Sequence, residues 1–242
     1  MRDLKMLHNR FLTYLLIAVF VISAVFTACN KPDDVKVQLL KTLTFYNYNY
    51  SKSYTYRCVY DDKNRITSIV DETDFQIVYQ FEYSGNDLVE LRDGTQKYLD
   101  FSKNGNIITV LYDGLPLPYW TIELNSNGYP IKVGPYTLQY LNGNVISAST
   151  PYVEYTFKYD NKKSPFYHCK TPKWFQVCFC YITDWILEYP FAFGIENNLK
   201  NYTVKDYKYE YENTYDYTYE YDDSGFPTKM YENGKLDATF TY

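Results

Sequence analysis

From residue 40 onward, apolar and polar positions alternate in short runs with a period of two. Phe75, Ile77, Tyr79, Phe81 and Tyr83 share one parity, as do Tyr136, Leu138 and Tyr140, and Val153, Tyr155, Phe157 and Tyr159. Because successive side chains of a strand point to opposite faces, each run predicts a strand with one buried and one wet face. Between the runs stand "YDDKNR" (60–65), "YSGND" (83–87), "FSKNGN" (101–106), "LNSNGY" (124–129), "YLNGN" (140–144), "YDNKK" (159–163) and "YDDSGF" (221–226). Each carries Asn, Asp or Gly where a tight turn needs a left-handed backbone. Up to residue 159 these units begin 16 to 23 residues apart, which is room for two strands each. The expected fold is all-β, an antiparallel β-hairpin meander rolled into a barrel-like sheet.

Two stretches alternate with tyrosine alone. Tyr207, Tyr209, Tyr211, Tyr215, Tyr217, Tyr219 and Tyr221 occupy odd positions, and Tyr46, Tyr48, Tyr50, Tyr54, Tyr56 and Tyr60 occupy even ones. A hairpin loop with an odd number of residues preserves parity across the turn. The expectation is therefore a three-residue turn at 212–214 pairing Tyr211 with Tyr215, and another at 51–53 pairing Tyr50 with Tyr54. All seven tyrosines of the later stretch would then share one face. The competing reading, one strand of about 17 residues, exceeds the usual strand length. The beat breaks only between 164 and 198, where Trp174, Val177, Cys178, Tyr181, Trp185 and Leu187 fall near helical spacing after Thr171 and Pro172. That spacing predicts one short helix near 172–188, plugging or capping the sheet.

The N-terminus changes the picture. Arg2, Lys5 and Arg10 precede "FLTYLLIAVFVISAVF" (11–26), an uncharged run that ends at Thr27, Ala28 and Cys29. A basic segment followed by a short apolar one reads as a bacterial export signal, and 16 residues fall short of the roughly 20 needed to span a bilayer. The segment before Cys29 resembles the lipobox of bacterial lipoproteins, with Phe26 where that pattern has Leu, Val or Ile. The resemblance implies cleavage before Cys29 and lipidation of that residue; the alternative is an uncleaved signal anchor. The expected organisation is a signal peptide at 1–28, a lipid-anchored polar tether at 29–36 and a single β domain at 37–242. Loss of three positive charges and one negative takes the net charge from −5 to −7, which repels phosphate backbones and excludes nucleic acid as an expected partner.

Candidate chemistry is sparse. The mature chain keeps one histidine, His168, and four cysteines besides Cys29: Cys58, Cys169, Cys178 and Cys180. Export permits disulfides, and a bridge from Cys169 to Cys178 or Cys180 is expected over Cys178 with Cys180; an all-reduced set is the other reading. The spacing of His168 and the cysteines fits no standard zinc site. "SPFYHCK" lacks the strand–turn–helix setting of a nucleophile elbow. The acid pairs Asp61–Asp62 and Asp222–Asp223 lie in turns, where they are expected to cap backbone amides and not to bind calcium. No cofactor, metal or catalytic residue is expected. Tyrosine, at 31 residues, is the unusual resource: its ring packs like a hydrophobe while its hydroxyl reaches water or a sugar. Tyr207 to Tyr221 are therefore the candidate ligand-facing residues, with core filling as the competing role. The polar faces of the strands carry Lys, Glu, Asp and Thr, which argues against a lipid-facing barrel.

Two resemblances bear on this reading. "YDDKNRITSI" (60–69) and "YDDSGFPTKM" (221–230) resemble the tyrosine-aspartate repeat of Rhs-type shell proteins, with Asn64 in place of its glycine and Phe226 in place of its arginine. "YDNKKSPFY" (159–167), "NN" (197–198) and the late "YDDSGFPTK", with the lipobox, resemble a family of Bacteroides-type lipoproteins of unknown function. That resemblance implies a porin-like antiparallel β fold and an outer-membrane, surface-exposed, lipid-anchored location, and it brings no catalytic residue. The expected function is a non-enzymatic binding or interaction module with a glycan or protein ligand, held to the membrane by its N-terminal lipid. The alternatives are a hydrolase with an unrecognised carboxylate or cysteine site, and a purely structural surface protein.

Overall fold

The structure, a computed structural model, describes residues 37–47, 51–73, 75–94, 96–183 and 195–242. The expected signal peptide, Cys29, the tether and the far end of the expected helix (184–188) lie outside the described residues.

The alternating runs become sixteen strands. The first eight are β1 (Thr42–Asn47), β2 (Lys52–Tyr60), β3 (Ile66–Asp71), β4 (Gln76–Ser84), β5 (Asp87–Asp93), β6 (Gln96–Asn104), β7 (Ile107–Tyr112) and β8 (Leu115–Leu124). There follow β9 (Pro130–Val133), β10 (Tyr136–Leu141), β11 (Asn144–Ser149) and β12 (Val153–Lys163), then helix α1 (Lys173–Thr183). The chain ends with β13 (Asn197–Asp206), β14 (Tyr211–Tyr221), β15 (Pro227–Glu232) and β16 (Lys235–Thr241). Each strand pairs antiparallel with its sequence neighbours, and β1 pairs with β16 to close the barrel. The closing seam runs from Thr42 opposite Thr241 to Phe45 opposite Ala238, and leaves no free sheet edge. β-Bulges recur around the wall, as at Val59/Tyr60, Glu82/Tyr83 and Glu220/Tyr221, and supply the local bending that closure requires.

The apolar parity of each strand faces inward. Leu43, Tyr56, Phe81, Leu91, Val110 and Ile122 are buried in one continuous core with Phe157, Tyr202, Tyr217 and Phe240. The outward parity is polar and cross-linked by its own pairs: Lys205 with Glu212 (3.4 Å), Lys229 with Glu220 (2.9 Å), Lys103 with Asp87 (2.7 Å), and the Thr203 and Thr214 hydroxyls (2.8 Å). A barrel that crosses a bilayer has the reverse arrangement, an apolar outer band around a polar lumen. This wall is built to face water and to fill its own interior.

Three turns share one geometry. In 61–65, 125–129 and 222–226 the first amide donates to the last carbonyl at 2.9 Å, and the fourth amide donates back to the first carbonyl at 3.0 to 3.1 Å. In each, Oδ1 of the first residue, Asp61, Asn125 or Asp222, also accepts the third and fifth amides. The fourth position is left-handed and holds Asn64 (φ 63°), Gly128 (φ 78°) or Gly225 (φ 81°). The turn-capping role expected for the acids is thus carried by Asp61 and Asp222.

The tyrosine hairpins differ from expectation. β14 is one continuous strand from Tyr211 to Tyr221, and the turn lies at 207–210, with Asp206 opposite Tyr211 and Tyr202 opposite Tyr215. In the earlier stretch Asn47 lies opposite Lys52 and Phe45 opposite Tyr54, so Lys52 and Ser53 belong to β2 and not to a turn; Tyr48 and Tyr50 lie outside the described residues. Both registers pair residues of opposite parity, so the expected pair Tyr211–Tyr215 does not form and Tyr54 faces Phe45. Asp206 starts the later turn by accepting the amides of Lys208 (2.9 Å) and Tyr209 (3.0 Å). Two further positions expected on an inward face also move: Phe75 lies in a turn, 76% exposed, and Ile77 is exposed at the start of β4.

Candidate functional site

In a closed antiparallel meander, alternate turns lie at the same end. One end, the cap end, collects the turns after β2, β4, β6, β8, β10 and β14, together with the segment between β12 and β13; the other, the rim end, collects the rest. The chain enters β1 at the cap end, where the Gln38 amide donates to His168 Nδ1 (3.0 Å).

The cap end is occupied by polar latches and by α1. Lys170 donates its amide to the Asn64 carbonyl (2.9 Å), the Thr171 hydroxyl accepts the Ile66 amide (2.9 Å), and Gln176 Nε2 donates to the Thr171 carbonyl (2.6 Å). Helix α1 starts there, with the Phe175 and Gln176 amides donating to the Pro172 carbonyl. Its aromatic side chains meet the inner wall edge-on: Trp174 on Phe101 (5.2 Å between centroids), Phe175 on Phe81 (5.6 Å) and Phe179 on Tyr79 (5.7 Å). Because Tyr79 lies further from the cap end than Phe81, the helix rises into the lumen and acts as a plug. Beyond 184–194 the chain is caught again at Ile195, whose carbonyl accepts the Ser164 hydroxyl (3.0 Å). Asn144 Oδ1 then accepts the amides of Glu196 and Asn197 (both 3.2 Å).

The candidate nucleophiles lie in this plug or, for Cys58, on the wall strand β2 beside it. Cys58, Cys169 and Cys178 are free thiols, so the expected bridge from Cys169 does not form; the side chain of Cys180 lies outside the described residues. Burial pushes the Cys58 thiol up to about 12, with the nearby Cys169 adding to it, and burial raises Cys169 and Cys178 as well. A thiol so raised is held protonated and is a poor nucleophile. Burial lowers the pKa of His168, which lies against Tyr167 and Phe226 with Nδ1 3.0 Å from the Gln38 amide and 3.2 Å from the Gln38 carbonyl. Beside α1 a cavity of about 50 Å³ is lined by Tyr56, Cys58, Phe81, Phe166, Phe175 and Phe179 among others, and neither His168 nor any carboxylate reaches it. Among the described residues no group of His, Cys, Asp and Glu is arranged to hold a metal ion.

The rim end is different in character. Of the seven candidate tyrosines, Tyr207 (58% exposed), Tyr209 (71%) and Tyr211 (47%) stand on it. Of the other four, Tyr215, Tyr217 and Tyr219 pack in the core and Tyr221 is half-buried. Tyr215 stacks on Tyr202 (4.7 Å, 14°), Tyr217 is buried behind it, Tyr219 donates to the Leu199 carbonyl (2.8 Å), and Tyr221 donates to Asp160. Tyr152, on the neighbouring loop, accepts the Tyr207 amide at its carbonyl (2.8 Å) and is 65% exposed. The Tyr207 hydroxyl is oriented by Glu154 (2.7 Å), and Lys208 Nζ lies 5.1 Å over the Tyr209 ring. Further round the rim, Tyr112 and Leu115 flank the β7–β8 turn, Tyr98 meets Tyr112 edge-on (6.4 Å), and Phe75 occupies the β3–β4 turn. Most of the exposed tyrosines and large apolar side chains among the described residues thus gather at one end of the barrel, with Val37, Leu141 and Tyr167 at the other. Tyr152 and Tyr112 were not singled out by sequence reasoning, and Phe75 was expected on an inward face; the signal available was that alternate turns of a meander share an end.

No family model matches the chain, and no curated protein matches it. Among solved structures, a porin-like protein from Bacteroides vulgatus is similar over 85% of this chain and 99% of that chain, at 13% identity and a TM-score of 0.38. Nothing about activity is carried over from it.

Proposed function

We propose that this is a non-enzymatic binding module, carried on the outer membrane by a lipid on Cys29, which takes a glycan on the aromatic rim of its barrel. The observation that carries the reading is the clustering of Tyr152, Tyr207, Tyr209 and Tyr211 on adjacent loops, with their rings exposed and carboxylates beside them. Flat rings stack on the apolar face of a sugar, and hydroxyls and carboxylates accept its hydrogen bonds; exposed tyrosine supplies both at low conformational cost. At the cap end burial holds the thiols of Cys58, Cys169 and Cys178 protonated, and no His, Asp or Glu lines the cavity.

Two measurements test the two halves of this reading. Metabolic labelling with a lipid probe should mark the wild-type protein and not Cys29→Ala; equal labelling of both overturns the anchor. A glycan array should show binding that falls at least tenfold in Tyr209→Ala, and an array without any bound glycan overturns the ligand class.

A further inference from the structure

We infer that the ligand is an extended, uncharged or basic glycan chain that bridges two aromatic groups on the rim, an inference that rests on the glycan-binding reading above. The first group is Tyr152, Tyr207, Tyr209 and Tyr211 on the β11–β12 and β13–β14 loops. The second is Tyr112 with Tyr98 and Leu115 at the β7–β8 turn. Strand order fixes their separation. From the β7–β8 turn to the two loops of the first group there are four and six inter-strand steps in the closed barrel. At about 4.8 Å per step this is on the order of 20–30 Å along the wall. A monosaccharide or disaccharide on one group cannot reach the other, whereas a chain lying across the end of the barrel touches both. Linking two weak contacts through one chain raises affinity steeply once the chain spans them, and not before.

The charges beside the rings select the class of chain. Glu154 orients Tyr207, Asp206 caps the turn that carries Tyr209, Glu210 and Glu212 flank Tyr211, and Asp113 follows Tyr112. The nearby cations are partly engaged: Lys205 pairs with Glu212, and Lys208 lies over the Tyr209 ring. Carboxylates so placed accept hydrogen bonds from sugar hydroxyls or attract amines, and they repel uronic acids and sulfates.

The test is titration of the full chain in detergent with neutral gluco- and manno-oligosaccharides of two to ten residues, with chito-oligosaccharides that are acetylated or free amines, and with oligogalacturonates as the acidic comparison. The expected result is an affinity that rises at least tenfold between the short and long members of a bound neutral or basic series, with oligogalacturonates binding at least tenfold more weakly. Tyr112→Ala should abolish that rise, so that long members bind no more tightly than short ones, and Tyr209→Ala should weaken short and long members alike. Affinity independent of chain length, or preference for the acidic series, overturns the bridging inference and leaves glycan binding standing. Absence of binding to every series overturns both.

Discussion

Asp61, Asn125 and Asp222 each accept two backbone amides through one side-chain oxygen, and their shared geometry makes the three turns a controlled comparison. Asn125 is the cleanest of the three, because its side chain makes only those two bonds among the described contacts. Asn125→Ala should lower stability by about 1–2 kcal/mol in urea unfolding, the cost of two amides left to water at a turn. Asn125→Asp, which keeps the acceptor, should stay within about 0.5 kcal/mol of wild type; equal losses in the two variants would remove the turn role. His168 offers a second test at this scale. Burial is the first cause of its lowered pKa and the neighbouring Lys163 and Lys170 add to it, while the Gln38 backbone contact works in the other direction. A base whose pKa is depressed by folding contributes stability that is complete above its unfolded value of 6.5 and is lost as pH falls from there through the folded value. Wild type minus His168→Gln, followed as the unfolding midpoint against pH, should therefore decline below pH 6.5; a flat difference would show that folding does not hold the ring neutral.

At the scale of elements, the strands were legible and their ends were not. Alternation tells which residues of a run share a face, and Tyr136 to Tyr140 and Val153 to Tyr159 face inward as read. A run of tyrosines alone carries no further information about where the strand stops, because a turn of one extra residue leaves the visible pattern intact. The turn at 207–210 was marked only by Asp206 and by Glu210 in a left-handed conformation (φ 53°), with no glycine or Asn-Gly pair to announce it. The candidate site suffered accordingly: three of its seven residues reach the rim, and its partner Tyr152 lies 55 residues upstream, brought alongside by the pairing of β12 with β13. The plug makes a prediction at the same scale. Gly143 (φ 80°) faces Glu196, and a Cβ there would stand 2.6 Å from Glu196 Cγ, whose carboxylate is held by Lys173 at 3.3 Å. Gly234 (φ 79°), which follows Asn233 (φ 49°) as Gly143 follows Asn142 (φ 50°), sits in a comparable turn with open space around it. Gly234→Ala should cost about 1 kcal/mol for the left-handed backbone alone. Gly143→Ala should cost more, and adding Glu196→Ala should recover the excess; without that recovery, Glu196 is not what fits the returning segment against the β10–β11 turn.

At the scale of the whole molecule, a barrel wide enough for sixteen strands must fill its lumen, and this one does so with a helix and with aromatic rings instead of aliphatic side chains alone. The choice has a thermodynamic consequence, because tyrosine can ionise and a buried phenolate is costly. Burial raises Tyr56 to about 12, with Asp71 and Tyr54 adding to it, and burial likewise raises Tyr60, Tyr140, Tyr159, Tyr217, Tyr219 and Tyr242. For an acid whose pKa is raised by folding, the stabilisation is complete below the unfolded value of 10 and is lost as pH climbs toward the folded one. Several such groups act together, so the pH dependence should be steep. Unfolding followed by circular dichroism should begin above pH 10, and the phenolate absorbance of the buried tyrosines should appear with it in one cooperative step. If the buried phenolates formed near pH 10 while the barrel stayed intact, the rings would be reached by water in the folded state, and the lumen would be a channel and not a core.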